Sequence, residues 1–438
     1  MSIPSLQGLQ TALSGLLADQ QAIDVTGHNI TNASTPGYSR QTVQLQTNDP
    51  MRIAALAPGT GEGGQLGTGV MVTGYTRIRA SYLDAEYRNQ NTALGASSSE
   101  VEGLEQAQAA FDEPSSAGIA SQFSKFWSAW ASLANLPSSE AAKVAVVSAG
   151  TQLASALNEL SSQLNTIEAQ ASQQYAAVAG PSGEVQSYAT QIASLNQQIK
   201  LSLVARQQPN DLEDRRDLLL DKLSELGHVT VTAQADGKDT VAFAGAAEPL
   251  VEGASVNWPQ ELNAKTAGGQ LGALLGLSGE TGALAGYRSA LDQVAATLAG
   301  SVNALHTATP FFSGTTAATI AVAVTATQVQ TAAASNPGGN EVALGVAALR
   351  GAKAEQQYAA LVAQVGSDVQ NATGNQTNAQ AVLSAIGGQR ESVSGVSLDE
   401  EMTNLVTFQR GYQASARALT SMDEMLNTLI NHTGAVGL

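Results

Sequence analysis

The sequence predicts a mainly α-helical fold with a smaller β part: terminal helices paired as an α-helical coiled-coil inner domain, a helix-bundle middle domain and a small β-rich outer insertion. Three observations predict it. Apolar residues recur at alternating three-and-four spacing at both ends of the 438-residue chain, and long stretches rich in Ala, Ser, Gln and Leu fill its interior. Between residues 229 and 269 the apolar period drops to two. Aromatics make up only 4% of the chain and charged residues 13%, which suits slender helices packed through small side chains.

Leu6, Leu9, Leu13, Leu16, Ile23 and Ile30 fall on one helical stripe, interrupted only by Gln20 and Gly27. Pro36 has no N–H to donate and pushes Thr35 out of the helical region, while Gly37 can take the positive φ of a tight turn, so the helix should end near Asn32. Val43 and Leu45 then alternate with polar residues, Pro50, Pro58 and a glycine cluster follow, and Val70, Val72 and Tyr75 alternate again. Gly59, Gly61 and Gly64 satisfy G-x-G-x-x-G, but no helical pattern opens at Gly64, so a structural hairpin is expected there instead of a dinucleotide site.

Helical character runs from Ile78 to Phe111 and breaks at Asp112-Glu113-Pro114. The next helix carries Phe123, Phe126, Trp127 and Trp130 on one broad face, a packing centre. Ser138-Ser139-Glu140 starts a helix that reaches about Ala179, and Pro181 and Gly183 mark a turn. Helices follow over Glu184–Ala205 and Asp211–Leu226. The second bears Asp211, Glu213, Asp214, Arg215, Arg216 and Asp217, whose alternating signs predict a solvated or ion-paired face.

Beyond Gly227, Val229, Val231 and Ala233 alternate with polar residues, Asp236-Gly237 signals a hairpin, and Val241 and Phe243 continue the pattern up to Gly268-Gly269. This lobe is expected to bury its alternating face largely within itself. A helix from Gly282 to His306, the step Pro310-Phe311-Phe312, a β-prone run from Ile320 to Val324 and a loop over Asn336–Asn340 come next, and helices return from Glu341 to Ser394. The last helix carries Leu398, Met402, Leu405, Tyr412, Ala416, Leu419, Met422, Leu426 and Leu429 at near-heptad spacing, with Asp399, Glu400 and Glu401 in its first turn, where the helix dipole favours acid. Such a helix is about 50 Å long at ~1.5 Å per residue. Its narrow stripe needs a partner, and pairing the two chain ends supplies one. The domains are then 1–60 with 396–438 (inner), 61–228 with 270–312 and 340–395 (middle), and 229–269, with 313–339 adjoining it, as the outer insertion.

A formal net charge of −17 and the lack of a clustered basic run argue against nucleic-acid binding. With no cysteine, a disulfide framework and any Cys-based metal or catalytic site are ruled out. Arg40 is the first cationic side chain, so no cleaved secretory signal is expected, and no apolar run is long enough to predict membrane insertion. His28, His228, His306 and His432 lie far apart and outside H-E-x-x-H; neither G-x-S-x-G nor a P-loop occurs. No enzyme, metal or cofactor is expected.

The run Asn29-Ile30-Thr31-Asn32-Ala33-Ser34-Thr35-Pro36-Gly37-Tyr38-Ser39-Arg40-Gln41 resembles the signature of bacterial flagellar rod, hook and hook-associated proteins. Its carriers are Asn29, Asn32, Thr35, Pro36, Gly37, Tyr38, Ser39, Arg40 and Gln41. Gly395-Val396-Ser397-Leu398-Asp399-Glu400-Glu401 and Phe408-Gln409-Arg410-Gly411-Tyr412-Gln413-Ala414 are similar to the C-terminal segments of hook-associated members, as are the interior run from Asn210 to Asp217 and the Pro310-Phe311-Phe312 step. The resemblance implies a structural protein of the bacterial-type flagellum, secreted uncleaved by type III export to the hook–filament junction. The partners it implies are further copies of the chain in a ring or helical zone, the flagellar hook protein, hook-associated protein 3 and a cytoplasmic export chaperone. The expected assembly interface is the two terminal stripes: Leu6, Leu9, Leu13, Leu16, Ile23 and Ile30 with Leu398, Met402, Leu405, Tyr412, Leu419, Met422, Leu426 and Leu429. A hook or rod protein would share the N-terminal signature but not the long helical stretch from Ile78 to Leu226. A flagellin-like extracellular enzyme would need a larger insertion with zinc ligands.

Overall fold

The turn chemistry after the first apolar stripe sets where the fold begins. The computed structural model describes residues 4–53, 64–333, 335–336 and 338–431. Helix α1 (Pro4–Asn32) stops as expected, and Thr35 N–H donates to Asn32 O (2.9 Å) to close the first turn. Strand β1 (Gln41–Thr47) pairs antiparallel with β4 (Val70–Arg77), and between them β2 (Met51–Ile53) pairs with β3 (Gly64–Leu66). This is the hairpin that the alternation predicts. Gly64 opens a strand; Gly59 and Gly61 lie outside the described residues. The hairpin rests on α1, where Val70 N–H donates to Ser14 Oγ (3.2 Å) and Tyr75 Oη to Gln21 Oε1 (3.3 Å). The expected domain boundary near residue 60 therefore moves to about residue 78, because cross-strand bonding keeps β4 with β1.

Helices α2 (Ser81–Phe111), α3 (Ile119–Asn135), α4 (Glu140–Ala179), α5 (Glu184–Val204) and α6 (Asn210–Leu226) follow. Ser139 caps α4 by accepting from Ala142 N–H (3.3 Å), the role its position predicts. Next come β5 (Val229–Thr232), β6 (Thr240–Phe243), β7 (Val251–Glu252) and β8 (Ser255–Val256), a sequential antiparallel sheet. Helices α7 (Ala264–Ala267), α8 (Gly269–Ser278) and α9 (Ala283–Leu305) lead to a small hairpin of β9 (Phe312–Ser313) and β10 (Ala321–Val322). Helices α10 (Glu341–Ala347), α11 (Lys353–Ser394) and α12 (Leu398–Asn431) close the chain.

Two cores result. The larger holds Phe123, Phe126, Trp127 and Trp130, all nearly inaccessible, with Phe311 and Phe312 packed on Phe126 at centroid distances of 5.8 and 5.6 Å. The aromatic face is a packing centre, as its spacing implies. Phe312, Ala317, Ile320 and Val324 belong to this core, so the segment 313–339 does not adjoin the outer insertion: its apolar residues are spent on α3, α4 and α9.

The second core corrects the expectation for the insertion. Val229, Val241, Phe243, Leu250 and Val251 share one core with Val185, Ile192, Leu220 and Leu223 of α5 and α6, so the sheet does not bury its apolar face within itself alone. A four-stranded sheet with one apolar face needs an opposing layer, and these helices provide it. Asn196 fastens the two layers: its amide donates to Asp239 O (3.0 Å) and Gly253 O (2.9 Å) and accepts from Arg216 Nη1 (3.0 Å). Arg216 also pairs with Asp239 at 2.9 Å.

Candidate assembly interface

Helix α1 has three sides, and each meets something different. One side packs on the β1–β4 hairpin through Ser14 and Gln21. A second runs antiparallel along α12 through small residues. A methyl group at Gly8 would lie 3.1 Å from Met422 Sδ, one at Gly15 3.1 Å from Ser415 Oγ, and one at Gly411 2.7 Å from Asp19 Oδ2, so the backbones approach closely. In these pairs, and in the Asn29–Glu401 pair below, the residue numbers always add to 430, the mark of one unbroken antiparallel register. Ala18, Ala22, Thr26 and Asn29 are the buried positions of α1. The third side, Gln10, Leu13, Leu17, Gln20 and Asp24, is open to solvent.

The pairing of the two ends is the arrangement expected, but the seam is not the leucine stripe. Counting apolar residues marks Leu9, Leu16, Ile23 and Ile30; the seam follows Gly8, Gly15, Ala22 and Asn29, one residue and about 100° away. Leu9, Leu16, Ile23, Ile30, Leu405, Leu419 and Leu426 are half-buried on its flanks, and Met422, also half-buried, lies in the seam itself against Gly8. Leu13, Leu398, Met402 and Tyr412 are exposed. The side chains of Leu6 and Leu429 lie outside the described residues.

The signature residues form the joint between this helix pair and the rest of the chain. Asn29, 1% exposed, donates through Nδ2 to Gln41 O (2.9 Å) and Glu401 Oε2 (3.0 Å), and its Oδ1 accepts from Gln41 N–H (3.0 Å) and Tyr38 Oη (2.7 Å). One side chain thus fastens the loop, α1 and the first turn of α12. Burial, then the charges of Asp211, Asp214 and Glu401, push the Tyr38 phenol well up, so it stays a donor. Arg40 Nε donates to Glu401 (2.7 Å), Arg40 Nη1 to Glu400 (2.8 Å), and Arg40 N–H to Ser394 O at the end of α11 (2.9 Å). Ser39 holds Asp214 of α6 through both N–H (2.9 Å) and Oγ (2.7 Å), and Gln41 Nε2 donates to Asp211 Oδ1 (2.8 Å). Asn32 and Thr35 close the turn through a 3.2 Å side-chain bond, with Pro36 exposed at its tip.

Gly37 takes φ +79°, and a Cβ there would sit 3.0 Å from Leu218 Cβ. Gly37→Val is therefore expected to cost at least about 1–2 kcal/mol, since a left-handed conformation is unfavourable for a branched residue even without the contact. Thermal unfolding of the purified chain checks this, and an unchanged midpoint would contradict it.

Behind the joint lies a cluster of ion pairs. Asp217 on α6 meets Arg77 (2.9 Å), Arg79 (3.0 Å) and Arg88 (3.2 Å). Arg77 also meets Asp214 (2.8 Å) and Glu213 (2.8 Å). Arg79 grips Asp84 with two bonds of 3.0 and 2.7 Å, Arg88 reaches Asp221 (2.9 Å), and Arg390 of α11 bridges Asp84 (2.7 Å) and Asp221 (2.6 Å). Burial alone would raise Asp217, but the guanidinium groups of Arg79, Arg77 and Arg88 hold its carboxyl below the usual range. Glu213, Asp214, Arg216 and Asp217 of α6 are thus ion-paired and little exposed, whereas Asp211 and Arg215 face solvent. Sequence patterning does not reveal the residues that complete the cluster, Arg77, Arg79, Asp84, Arg88, Asp221 and Arg390. The available signal is Arg77-Ile78-Arg79 at the end of a strand, whose alternation puts two guanidinium groups on one side. Among the described residues no group of three or more His, Cys, Asp or Glu is placed to hold a metal ion.

A chain whose two ends form one helix pair, joined to the rest by the hydrogen bonds of Asn29 and Arg40 and open along its outer faces, has the architecture of a structural subunit. Three family models match it. Residues 9–38 match flagella basal body rod proteins, residues 104–260 the helical domain of flagellar hook-associated protein FlgK, and residues 389–432 the C-terminal region of flagellar basal body rod FlgEFG proteins. The flagellar hook-associated protein 1 of Bacillus subtilis is 28% identical over 509 aligned positions covering 99% of both chains. That of Escherichia coli is 27% identical over 250, or 56% of this chain and 43% of the relative, so the chain matches less than half of that longer protein. The solved structure of the flagellar hook junction protein FlgK from Burkholderia pseudomallei aligns with 52% of this chain and 44% of its own at 26% identity, with a TM-score of 0.45. Along its length the chain is thus similar to flagellar rod, hook and hook-associated proteins.

Proposed function

We propose that this chain is a structural subunit forming the junction between hook and filament of the bacterial flagellum, and that it self-associates through its paired terminal helices. The observation that carries this reading is the apolar surface left on that pair: Leu13 is 43% exposed, Leu17 48%, Met402 60% and Val406 47%. Aligned large apolar side chains on a helix pair that is otherwise sealed by small residues mark a surface awaiting a partner. Burying each one fully stabilises a contact by about 1.5–3 kcal/mol, and the gain recurs at every copy in a ring. The same faces need cover before assembly, a role for a cytoplasmic chaperone, and export to the cell exterior is part of the same reading. The hook protein and hook-associated protein 3 are the neighbours this reading gives it, with no catalytic role.

In a strain lacking the gene, the Leu13→Asp/Leu17→Asp chain is expected to leave hooks without filaments while the purified protein keeps its helicity. Each aspartate would place a charge in an apolar contact. Electron micrographs of the complemented strain provide the check. Normal filaments would overturn the reading.

A further inference from the structure

We propose that Asp24, on the outer face of α1 in one copy, pairs with Arg410 and Arg417 on the outer face of α12 in the next copy. This rests on the assembly reading above and names the contact that sets its specificity. Helix α1 carries no Lys or Arg, and the only cations of α12 are Arg410 and Arg417. Both are exposed, and among the described residues neither has an ion-pair partner. They stand seven residues apart, on one helical face with Val406, and this face is turned away from the seam at Gly411, Ser415 and Met422.

The acids of α12 cannot serve them. Asp399, Glu400 and Glu401 sit at one end, where Arg40 holds Glu400 and Glu401, and Asp423 and Glu424 sit near the other. A face that sets two central cations beside Val406 calls for a face that sets a carboxylate beside apolar side chains. The outer face of α1 does so: among Gln10 and Gln20 it carries Leu13 and Leu17, and one heptad after Leu17 comes Asp24, which is exposed and likewise without an ion-pair partner among the described residues.

The two complementary faces lie on different sides of one helix pair, so they cannot meet within a copy. They can meet between copies. A head-to-tail contact of this kind repeats around a closed ring. The occupant is therefore a second copy of this chain. Charge pairing of this sort selects the partner and the register, while the leucines supply most of the adhesion.

The test measures the amount of chain retained in isolated flagella when each variant replaces the unaltered gene. Arg410→Glu/Arg417→Glu is expected to lower it at least ten-fold, as is Asp24→Arg, because each sets like charges opposite one another. Combining all three should restore at least half of the unaltered level, a recovery that a folding defect would not show. Unaltered retention of the Arg410→Glu/Arg417→Glu chain, or no recovery in the triple variant, would overturn the pairing. The Leu13→Asp/Leu17→Asp chain separates the two readings. If it is lost while the arginine variants are retained, the terminal faces assemble without this pair; if it too is retained, or if the unaltered chain is absent from flagella, the assembly reading itself fails.

Discussion

Asp217→Ala is expected to destabilise the chain by about 3–5 kcal/mol, because it leaves three guanidinium groups short of their shared carboxylate in a largely buried site. Arg77 ends the hairpin, Arg79 follows it, Arg88 lies in α2, and among the described residues Asp217 alone pairs with all three. The same pairing makes stability acid-sensitive. A carboxyl held below its usual range contributes stability that is full above its unfolded value near pH 3.9 and is lost as the pH falls through its folded value. The unaltered chain should therefore lose this contribution below about pH 4, and the Asp217→Ala chain should lack that part of the acid dependence. Urea unfolding followed by the fluorescence of Trp258, with Trp127 and Trp130 replaced by Phe in both chains, reports on the α5–α6 core directly, since Trp258 packs on Phe243 at 5.8 Å. Equal midpoints at pH 7 for the two chains would refute the cluster's role.

Excising residues 229–269 is expected to collapse α5 and α6, not to trim a dispensable lobe. Val229, Val241, Phe243, Leu250 and Val251 leave with the segment, and Val185, Ile192, Leu220 and Leu223 lose their cover. At roughly 1.5–3 kcal/mol for each fully buried side chain, the loss matches the whole stability of a typical domain, about 5–15 kcal/mol. Arg216 would also lose Asp239, and Asn196 both of its carbonyl acceptors. The borders invite the opposite expectation, since a Cβ at Gly269 would lie 2.5 Å from Gly227 N and the ends could be joined easily. Easy joining does not supply an opposing layer. Circular dichroism and limited proteolysis of the shortened chain decide the matter, with unchanged helicity and protease resistance as the contrary result.

These two cases show what the sequence conveys and what it withholds. Signals carried by neighbouring residues are legible: the stop after Asn32, the Ser139 cap and the β1–β4 alternation all follow from local backbone chemistry. Alternation from Val229 to Phe243 reveals that one face is buried, but not that α5 and α6 bury it. Hydrophobic counting follows large side chains, so it finds Leu9, Leu16, Ile23 and Ile30, whereas close helix approach selects the small residues one step round. The ion cluster is hidden for another reason. Asp84 and Arg390 are separated by most of the chain, and only the fold brings them to 2.7 Å.

The central claim is that the outer faces of α1 and α12 are the surfaces buried on assembly. Because the chain has no cysteine, a single introduced thiol reports on one position at a time. Leu17→Cys and Val406→Cys chains should react readily with a maleimide as free protein and at least ten-fold more slowly in isolated flagella, while Ser128→Cys, on an exposed site of α3, should react equally in both. Equal rates for Leu17→Cys and Val406→Cys in the free and assembled states would contradict the claim.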